Sequence, residues 1–275
     1  WYAYCTGANV TGQRVSSTGT TGSPSLYAYQ FTGAASVTAI GFAQRIETQN
    51  SYDLAGTTAT LSLNLSNSLL TTVTWTAYYA TSTDAFGTLA SPTKSIFATG
   101  TFTVTSTLTR YSTQIAIPSA ATNGIEIVFS VGSQTSGTWV IGNVQLEVGT
   151  NPTPFERRQY THELQLCQRY YIKSYSQNVV PGSTIPTSSS GIYFAYSSGA
   201  NAGATGVFPV TMKYSPTVTI YDNAGTAGKM SYYSGSWTNG GTILGSWSDG
   251  QQITAQLSGT STSLNFHYTA LAEIV

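Results

Sequence analysis

The chain has 275 residues, only 7% of them charged, and its ten basic residues balance its ten acidic residues. With 40% hydrophobic residues it is not a disordered chain, because disorder combines low hydrophobicity with high net charge. The scattered Lys and Arg residues argue against nucleic-acid binding, which needs a concentrated basic surface. No apolar run reaches the roughly eighteen residues of a membrane-spanning helix, so we expect no membrane insertion. No signal peptide is visible, and because the chain begins at Trp1 without a Met, we expect a processed product or part of a longer protein.

The first half of the chain consists of short segments in which apolar and polar residues alternate. A period of two with one apolar face is typical of strands that pack on a core through one side of a sheet. Turn signals such as Ala55-Gly56 and Asn123-Gly124 separate these segments. Many short alternating strands with no helical pattern between them predict a β-sandwich. The clearest segments are 59–66, 72–79, 101–105 and 125–131.

Residues 145–171, which we name the charged segment, interrupt this pattern with a cluster of charges. Pro152 and Pro154 make its beginning a stiff connector, and either Thr153 or Thr161 could begin a helix. A helix of about ten residues is marginal alone, so we expect it to be stabilised by docking on a sheet. The residues spaced to form one helical face are Tyr160, Leu164, Cys167 and Tyr171.

The charges of this segment have two interpretations. They can be solvated on a surface linker helix, or they can form ion pairs between domains or between subunits. The residues that the second interpretation assigns to such contacts are Glu156, Arg157, Arg158, Glu163 and Arg169.

Alternating segments resume after residue 170, separated by loops rich in Gly and Ser. The sequence therefore predicts an all-β protein of two β-sandwich domains joined by a short helix. We place the N-terminal domain at residues 1–152, the linker with its helix at 153–169 and the C-terminal domain at 170–275. The alternating segments of the C-terminal domain are 192–196, 207–212, 217–221, 253–257 and 264–274.

No pattern typical of catalysis is visible: a nucleophile elbow, a phosphate-binding loop and a dinucleotide fingerprint are all missing from the sequence. Glu47 and Asp53 are neighbouring acids outside the charged segment, and we expect Arg45 to form a structural ion pair with one of them. A hydrolytic pair of carboxylates facing a cleft is the less favoured interpretation. We therefore expect a protein that is not an enzyme and that uses no cofactor.

The potential metal ligands are few. Cys5 and Cys167 cannot form a disulfide framework or a cysteine-based metal site, and we expect two isolated buried thiols, with a single disulfide as the alternative. His162 and His267 are expected to be structural or surface groups. Calcium binding by Asp and backbone oxygens is not favoured, because the Asp residues lie far apart. The sequence predicts no metal site.

Glycan binding is the activity that the composition favours most, because sugars present C–H faces that stack on aromatic rings while polar groups fix their orientation. The chain contains 19 Tyr residues, more than a core of this size needs. Alternatively, these aromatic residues pack in the core or at the axis of a trimer. The candidates in loop-like C-terminal surroundings are Tyr232, Tyr233, Trp237 and Trp247.

The run VQLEVGTNPTPFERRQYTHELQLCQRYY, residues 144–171, closely resembles a segment of bacteriophage tail-fibre and virion structural proteins. In that family a jelly roll resembling carbohydrate-binding modules ends in a QLE.G...TPFE.R strand and turn, and an EL..CQRYY helix leads into a second β domain. Weaker likeness extends the resemblance over nearly the whole chain. The stretches that carry it are 1–8, 42–66, 208–230 and 264–275.

This resemblance implies a two-module protein of the phage particle, located in a fibre or on the capsid surface and homotrimeric where fibres are concerned. Its partners would be further copies of itself and other virion proteins. One hypothesis is attachment to host-surface polysaccharide through a tail- or head-fibre module. The alternative is a capsid-decoration or fibre-base scaffold protein without a ligand of its own. A third, less favoured hypothesis is a carbohydrate-binding module of a secreted hydrolase.

Overall fold

The chain forms two compact units, residues Trp1–Arg157 together with Ile274, and residues Arg158–Glu273. The structure, a computed structural model, describes residues 1–17, 25–185, 192–194, 201–258 and 263–274. Strands dominate both units, and the strand pairs within these ranges are antiparallel. The prediction of an all-β protein is confirmed. None of the helices in these ranges is long and apolar enough to span a membrane.

The first unit is a sandwich of two five-stranded sheets. The first sheet has the strand order β1-β4-β9-β6-β7, and the second sheet has the order β2-β3-β10-β5-β8. A short helix and a 3-10 turn complete the unit. The elements are β1 Tyr2–Thr6, β2 Thr11–Ser16, β3 Tyr27–Thr32, β4 Ala39–Ile46, α1 Thr48–Ser51, β5 Thr58–Asn67, β6 Thr72–Ala80, β7 Lys94–Thr103, β8 Thr109–Ala116, the 3-10 turn Ser119–Asn123, β9 Ile125–Val131 and β10 Thr138–Val148.

The alternation in the sequence explains which faces of these strands meet in the core. Leu61, Leu63 and Leu65 on β5 are fully buried, and Ile125 and Phe129 on β9 face them from the other sheet. Removing such side chains from water at roughly 25 cal/mol per Å² of apolar surface is the main stabilising contribution. The remaining members of this core include Phe31, Ile40, Val73, Trp75, Ile115, Trp139 and Ile141.

The register of the first sheet brings distant residues together on its outer face. Arg45 on β4 lies opposite Glu126 on β9, and Glu126 lies opposite Tyr78 on β6. Tyr78 in turn is paired with Ile96 on β7. Because side chains directly opposite each other in a sheet point to the same face, these residues form one row across four strands.

The second unit is built from one eight-stranded sheet. β18 is its central strand: β11 and β14 flank its C-terminal half, and β12 and β15 flank its N-terminal half. From β15 the sheet continues through β16 and β17 to β13. The strands are β11 Tyr171–Lys173, β12 Ile192–Phe194, β13 Asn201–Val207, β14 Thr217–Tyr221, β15 Lys229–Tyr233, β16 Trp237–Ser248, β17 Gln252–Ser258 and β18 Ser263–Leu271.

The charged segment contains a helix, α2 Tyr160–Gln168, but the helix is not docked as expected. None of its residues is buried; Tyr160 is 67% exposed and Cys167 is also exposed. The start at Thr153 is wrong, because the backbone N–H and the hydroxyl of Thr153 donate to the carboxylate of Glu147 instead. The helix begins one residue before Thr161, the second predicted start.

Candidate functional site

The outer face of the first sheet carries a groove with a volume of about 350 Å³. This volume lies within the range of about 300–1,000 Å³ typical of small-ligand sites. Its floor comes from four strands and its rim from the loop between β6 and β7. We name it the tyrosine groove, and its lining residues are Tyr2, Tyr4, Tyr78, Thr88, Leu89, Pro92, Lys94, Ile96 and Val128.

Tyrosine rings form the floor of the groove for two reasons: residues alternate between the two faces of a strand, and a glycine on the neighbouring strand leaves room for one ring. Tyr2 and Tyr4 are two residues apart on β1, so they point to the same face, and their ring centroids are 6.4 Å apart. The Tyr4 ring lies over Gly41, where any Cβ atom would collide with it. Leu89 and Ile96 add apolar surface and are 58% and 61% exposed.

Beside these rings lies a carboxylate, Glu126, that is completely buried. Three groups donate hydrogen bonds to it: the Tyr2 hydroxyl at 2.7 Å, Arg45 Nε at 2.8 Å and the Lys94 ammonium. The cations also contact aromatic rings, since Arg45 lies 4.9 Å from the Tyr2 ring centroid and Lys94 lies 4.4 Å from that of Tyr78. The cluster therefore fixes one edge of the groove as a rigid polar network.

The phenols of the groove remain protonated at neutral pH. Burial raises the pKa of Tyr2, and the hydrogen bond to Glu126 raises it further. Burial likewise raises the pKa of Tyr4 and Tyr78, with smaller contributions from the negative charge of Glu126. Neutral phenols are poor nucleophiles but good stacking surfaces and hydroxyl donors. The groove is therefore suited to binding rather than to covalent chemistry.

A second, wider concavity of about 710 Å³ lies on the outer face of the second sheet. Its wall includes Arg110, which donates to Ser62 Oγ at 2.6 Å. Beside it, Asn143 donates to Asn64 Oδ1 at 3.2 Å, and Asn64 Nδ2 is buried without a partner. The described residues that line it are polar or aliphatic, and none of them carries an aromatic ring. This concavity therefore lacks the stacking surface that the tyrosine groove has.

The aromatic residues that the sequence nominated in the second unit do not form one site. Tyr233 and Trp237 are paired on the β15–β16 hairpin, with ring centroids 5.7 Å apart. Tyr232 packs partly against the core of its unit. Trp247 lies ten residues beyond Trp237 on β16, about 30 Å away along a strand, and is 57% exposed.

The residues nominated for inter-domain or inter-subunit contacts lie on or next to α2. Arg158 and Glu163 form an ion pair with each other at 3.0 Å, and both side chains are about half exposed. Glu156 and Arg157 are exposed, and Arg169 is half-buried. Contact of these residues with another subunit stays a prediction.

Two expectations from the sequence are corrected. Arg45 is paired with Glu126, 81 residues away, and not with Glu47 or Asp53, because the β4–β9 register places Glu126 directly opposite it. The cysteines are free, and neither is buried: Cys5 is half-buried and Cys167 is exposed. Among the residues that the structure describes, no cluster of three or more His, Cys, Asp or Glu side chains could hold a metal ion.

The tyrosine groove was not predicted from the sequence, although the sequence contains a signal for it. The alternation that assigns Ile125, Ile127 and Phe129 to the core necessarily assigns Glu126 and Val128 to the opposite face. A charged residue within a strongly apolar strand indicates a partner on that face. The partner strands could not be identified locally, because they lie elsewhere in the chain.

No family model matches the chain, and no curated protein matches it. Among solved structures, the enzymatically active domain of bacteriophage CBA120 tailspike protein 4 is similar with a TM-score of 0.39 and 19% identity, over 54% of this chain and 19% of that chain. The module TmCBM61, solved with β-1,4-galactotriose, is similar with a TM-score of 0.37 and 14% identity, over 54% of this chain and 88% of that chain. The CBM22-2 xylan-binding domain of Paenibacillus barcinonensis Xyn10C is similar with a TM-score of 0.36 and 14% identity, over 54% of this chain and 91% of that chain.

Proposed function

We propose that the first unit binds a saccharide in the tyrosine groove and that the chain is a bacteriophage virion protein that attaches to host-surface glycan. The observation that carries the binding proposal is the set of three tyrosine rings on one sheet face beside the buried Glu126 network. Rings supply faces for sugar C–H groups, and the neutral phenols of Tyr4 and Tyr78, together with Lys94, supply hydrogen-bond donors for sugar hydroxyls. The exposed Leu89 and Ile96 provide further apolar contact at the rim.

The virion setting rests on a different observation, the resemblance of residues 144–171 to phage tail-fibre and virion structural proteins. We propose a fibre or capsid-surface location, a homotrimeric assembly and other virion proteins as neighbours. The low charge of the chain, 7% of residues, is compatible with a protein held in an assembly, since a free protein without net charge tends to associate.

The binding proposal is tested with an array of purified bacterial capsular and lipopolysaccharide glycans. Tyr78→Ala removes one ring of the groove, and we expect a loss of about 1.5 kcal/mol of binding free energy, or about tenfold in affinity. Tyr52→Ala is the matched control, because Tyr52 is 68% exposed and does not line the groove. Equal binding by the wild type and the Tyr78→Ala variant would contradict the assignment of the groove.

The alternative function is that of a capsid-decoration or fibre-base scaffold. The observation in its favour is α2, whose exposed residues include Tyr160 and Leu166. Immunogold labelling of phage particles discriminates between the two. Epitopes accessible at a distal fibre tip support attachment, whereas epitopes that become accessible only after particle disruption support scaffolding.

A further inference from the structure

Trp247 lies on an outer sheet face whose opposite side is the core of the second unit. It is paired with Thr254 on β17, and Thr254 is paired with Thr205 on β13. The residues that alternate with Thr254 on β17, Ile253 and Ala255, are fully buried. Trp247 therefore projects from the solvent side of this part of the sheet.

The indole of Trp247 lies against Gly245, two residues before it on β16. A Cβ atom at Gly245 would lie 3.0 Å from Cη2 and 3.1 Å from Cζ2 of Trp247. A side chain at residue 245 would therefore press on the six-membered ring and displace it. The Trp247 side chain as a whole is 57% exposed.

Polar groups without charge flank this ring on the neighbouring strands. Gln256 is paired with Gly245 on one side and with Gly203 on the other, where its Cγ would be 3.3 Å from an added Cβ. The hydroxyls of Thr205 and Thr254 are hydrogen-bonded at 2.9 Å. The strands β13, β16 and β17 contain no charged residue.

We propose that Trp247, Gln256 and Thr254 form a second saccharide-binding platform, the Trp247 platform, for a neutral glycan. An exposed aromatic ring with amide and hydroxyl groups beside it matches the alternation of C–H faces and hydroxyls on a sugar. A protein partner would require a larger contiguous apolar patch, whereas on this face Gln and Thr side chains lie between the exposed apolar residues Trp247 and Val207. Strands β13, β16 and β17 contain no Lys or Arg, and the carboxylate of Asp249 lies two residues beyond Trp247, so a neutral sugar is favoured over an acidic one.

The Trp247 platform is separate from the tyrosine groove and does not require the groove to bind. If both sites bind the same polymer, the chain is bivalent. The second contact then occurs at a high effective concentration, which raises the overall affinity without new contacts.

Native gel electrophoresis of the full chain through gels containing galactan, xylan, mixed-linkage β-glucan, dextran or alginate tests the proposal. We expect Trp247→Ala to weaken retardation by at least one neutral polysaccharide by about tenfold in apparent affinity. Gly245→Val should weaken it as well, although the indole is retained, because a side chain at residue 245 displaces the ring. Leu244→Ala is the control, since Leu244 is a neighbouring residue that is also exposed, and it should migrate as the wild type does.

Thermal unfolding of each variant establishes that the fold is intact, and Trp247→Phe replaces Gly245→Val if the latter unfolds. A smaller ring should give retardation between those of the wild type and Trp247→Ala. Unchanged retardation of Trp247→Ala in every gel overturns the proposal, as does a wild-type chain that no polysaccharide retards. A Trp247→Ala variant whose oligomeric state changes while its retardation does not also overturns the proposal.

Tyr78→Ala in the same gels separates this inference from the proposed function of the groove. Retardation that depends on Trp247 but not on Tyr78 supports the platform independently of the groove, which the glycan array tests. The opposite result contradicts the platform and supports the groove.

Discussion

Glu126 shows how a single residue can organise a surface. It is fully buried, and its two oxygens receive a phenol, a guanidinium and an ammonium group, from Tyr2, Arg45 and Lys94. Burying a charge is costly unless it is paired and hydrogen-bonded. Tyr2, Arg45 and Lys94 lie on three other strands, β1, β4 and β7, so the pairing is complete only when the first sheet has formed. The residue therefore couples the geometry of the groove to the folding of the first sheet.

Replacing Glu126 with Ala leaves Arg45 and Lys94 without their counter-charge in a partly buried site. We expect the free energy of unfolding of the first unit to fall by about 3–5 kcal/mol, the typical cost of breaking a buried ion pair from one side. Urea denaturation measures this change. Glu156→Ala is the control and should change the free energy by less than about 0.5 kcal/mol, because Glu156 is exposed. A Glu126→Ala protein as stable as the wild type would show that the network contributes nothing.

At the scale of the element, alternation predicts the core face of a strand but not the chemistry of its other face. The segments 59–66 and 125–131 were assigned to strands from their sequence, and their Leu, Ile and Phe residues do form the core. The partner of Glu126 could not be predicted, because Arg45 lies on a strand 81 residues away and only the register brings them together. The sequence nominated Trp247 but not its neighbours Gly245, Thr254 and Gln256, because the pairing of β16 with β17 brings the last two beside it.

The central strand β18 is buried on both faces, as is typical of strands covered on two sides. Leu264, Phe266 and Tyr268 face the core, while Asn265 and His267 on the other face are also buried. The His267 ring stacks on Tyr175 with centroids 4.4 Å apart. Its Nδ1 lies 3.2 Å from Ser174 Oγ, and its Nε2 is buried without a partner.

Burial lowers the pKa of His267 below its usual value of 6.5, which makes the second unit sensitive to acid. The unfolded chain takes up a proton as the pH falls through about 6.5, whereas the folded chain resists it, so stability is complete above this pH and is lost progressively below it. We expect hydrogen exchange of β18 peptides to be faster at about pH 5.5 than at about pH 7.5, after correction for the intrinsic exchange rate. His267→Phe should reduce this difference, whereas His162→Gln, a change at an exposed residue, should not. An acid response that is unchanged in His267→Phe would assign it to other groups.

At the scale of the whole molecule, α2 is the element whose stability is least explained by contacts within a single chain. It has nine residues, none of them buried, although helices of this length are marginal without packing. The Arg158–Glu163 ion pair is about half exposed, and such pairs contribute at most about 1 kcal/mol. The helix therefore has exposed side chains and charges available to a neighbouring subunit, in agreement with the proposal of an assembled protein.

If the charged segment contacts another subunit, the double variant Arg157→Ala/Arg158→Ala should weaken the oligomer while leaving each unit folded, because both side chains are solvent-accessible in the single chain. Sedimentation velocity over a range of protein concentrations measures the shift towards monomer. Raising the salt concentration should shift the wild type in the same direction, since exposed ion pairs are screened. Arg14→Ala is the matched control, as Arg14 is an exposed residue of β2 outside the charged segment. A double variant that sediments like the wild type, or a wild type that is monomeric at every concentration, would leave the charges of this segment as solvated surface groups.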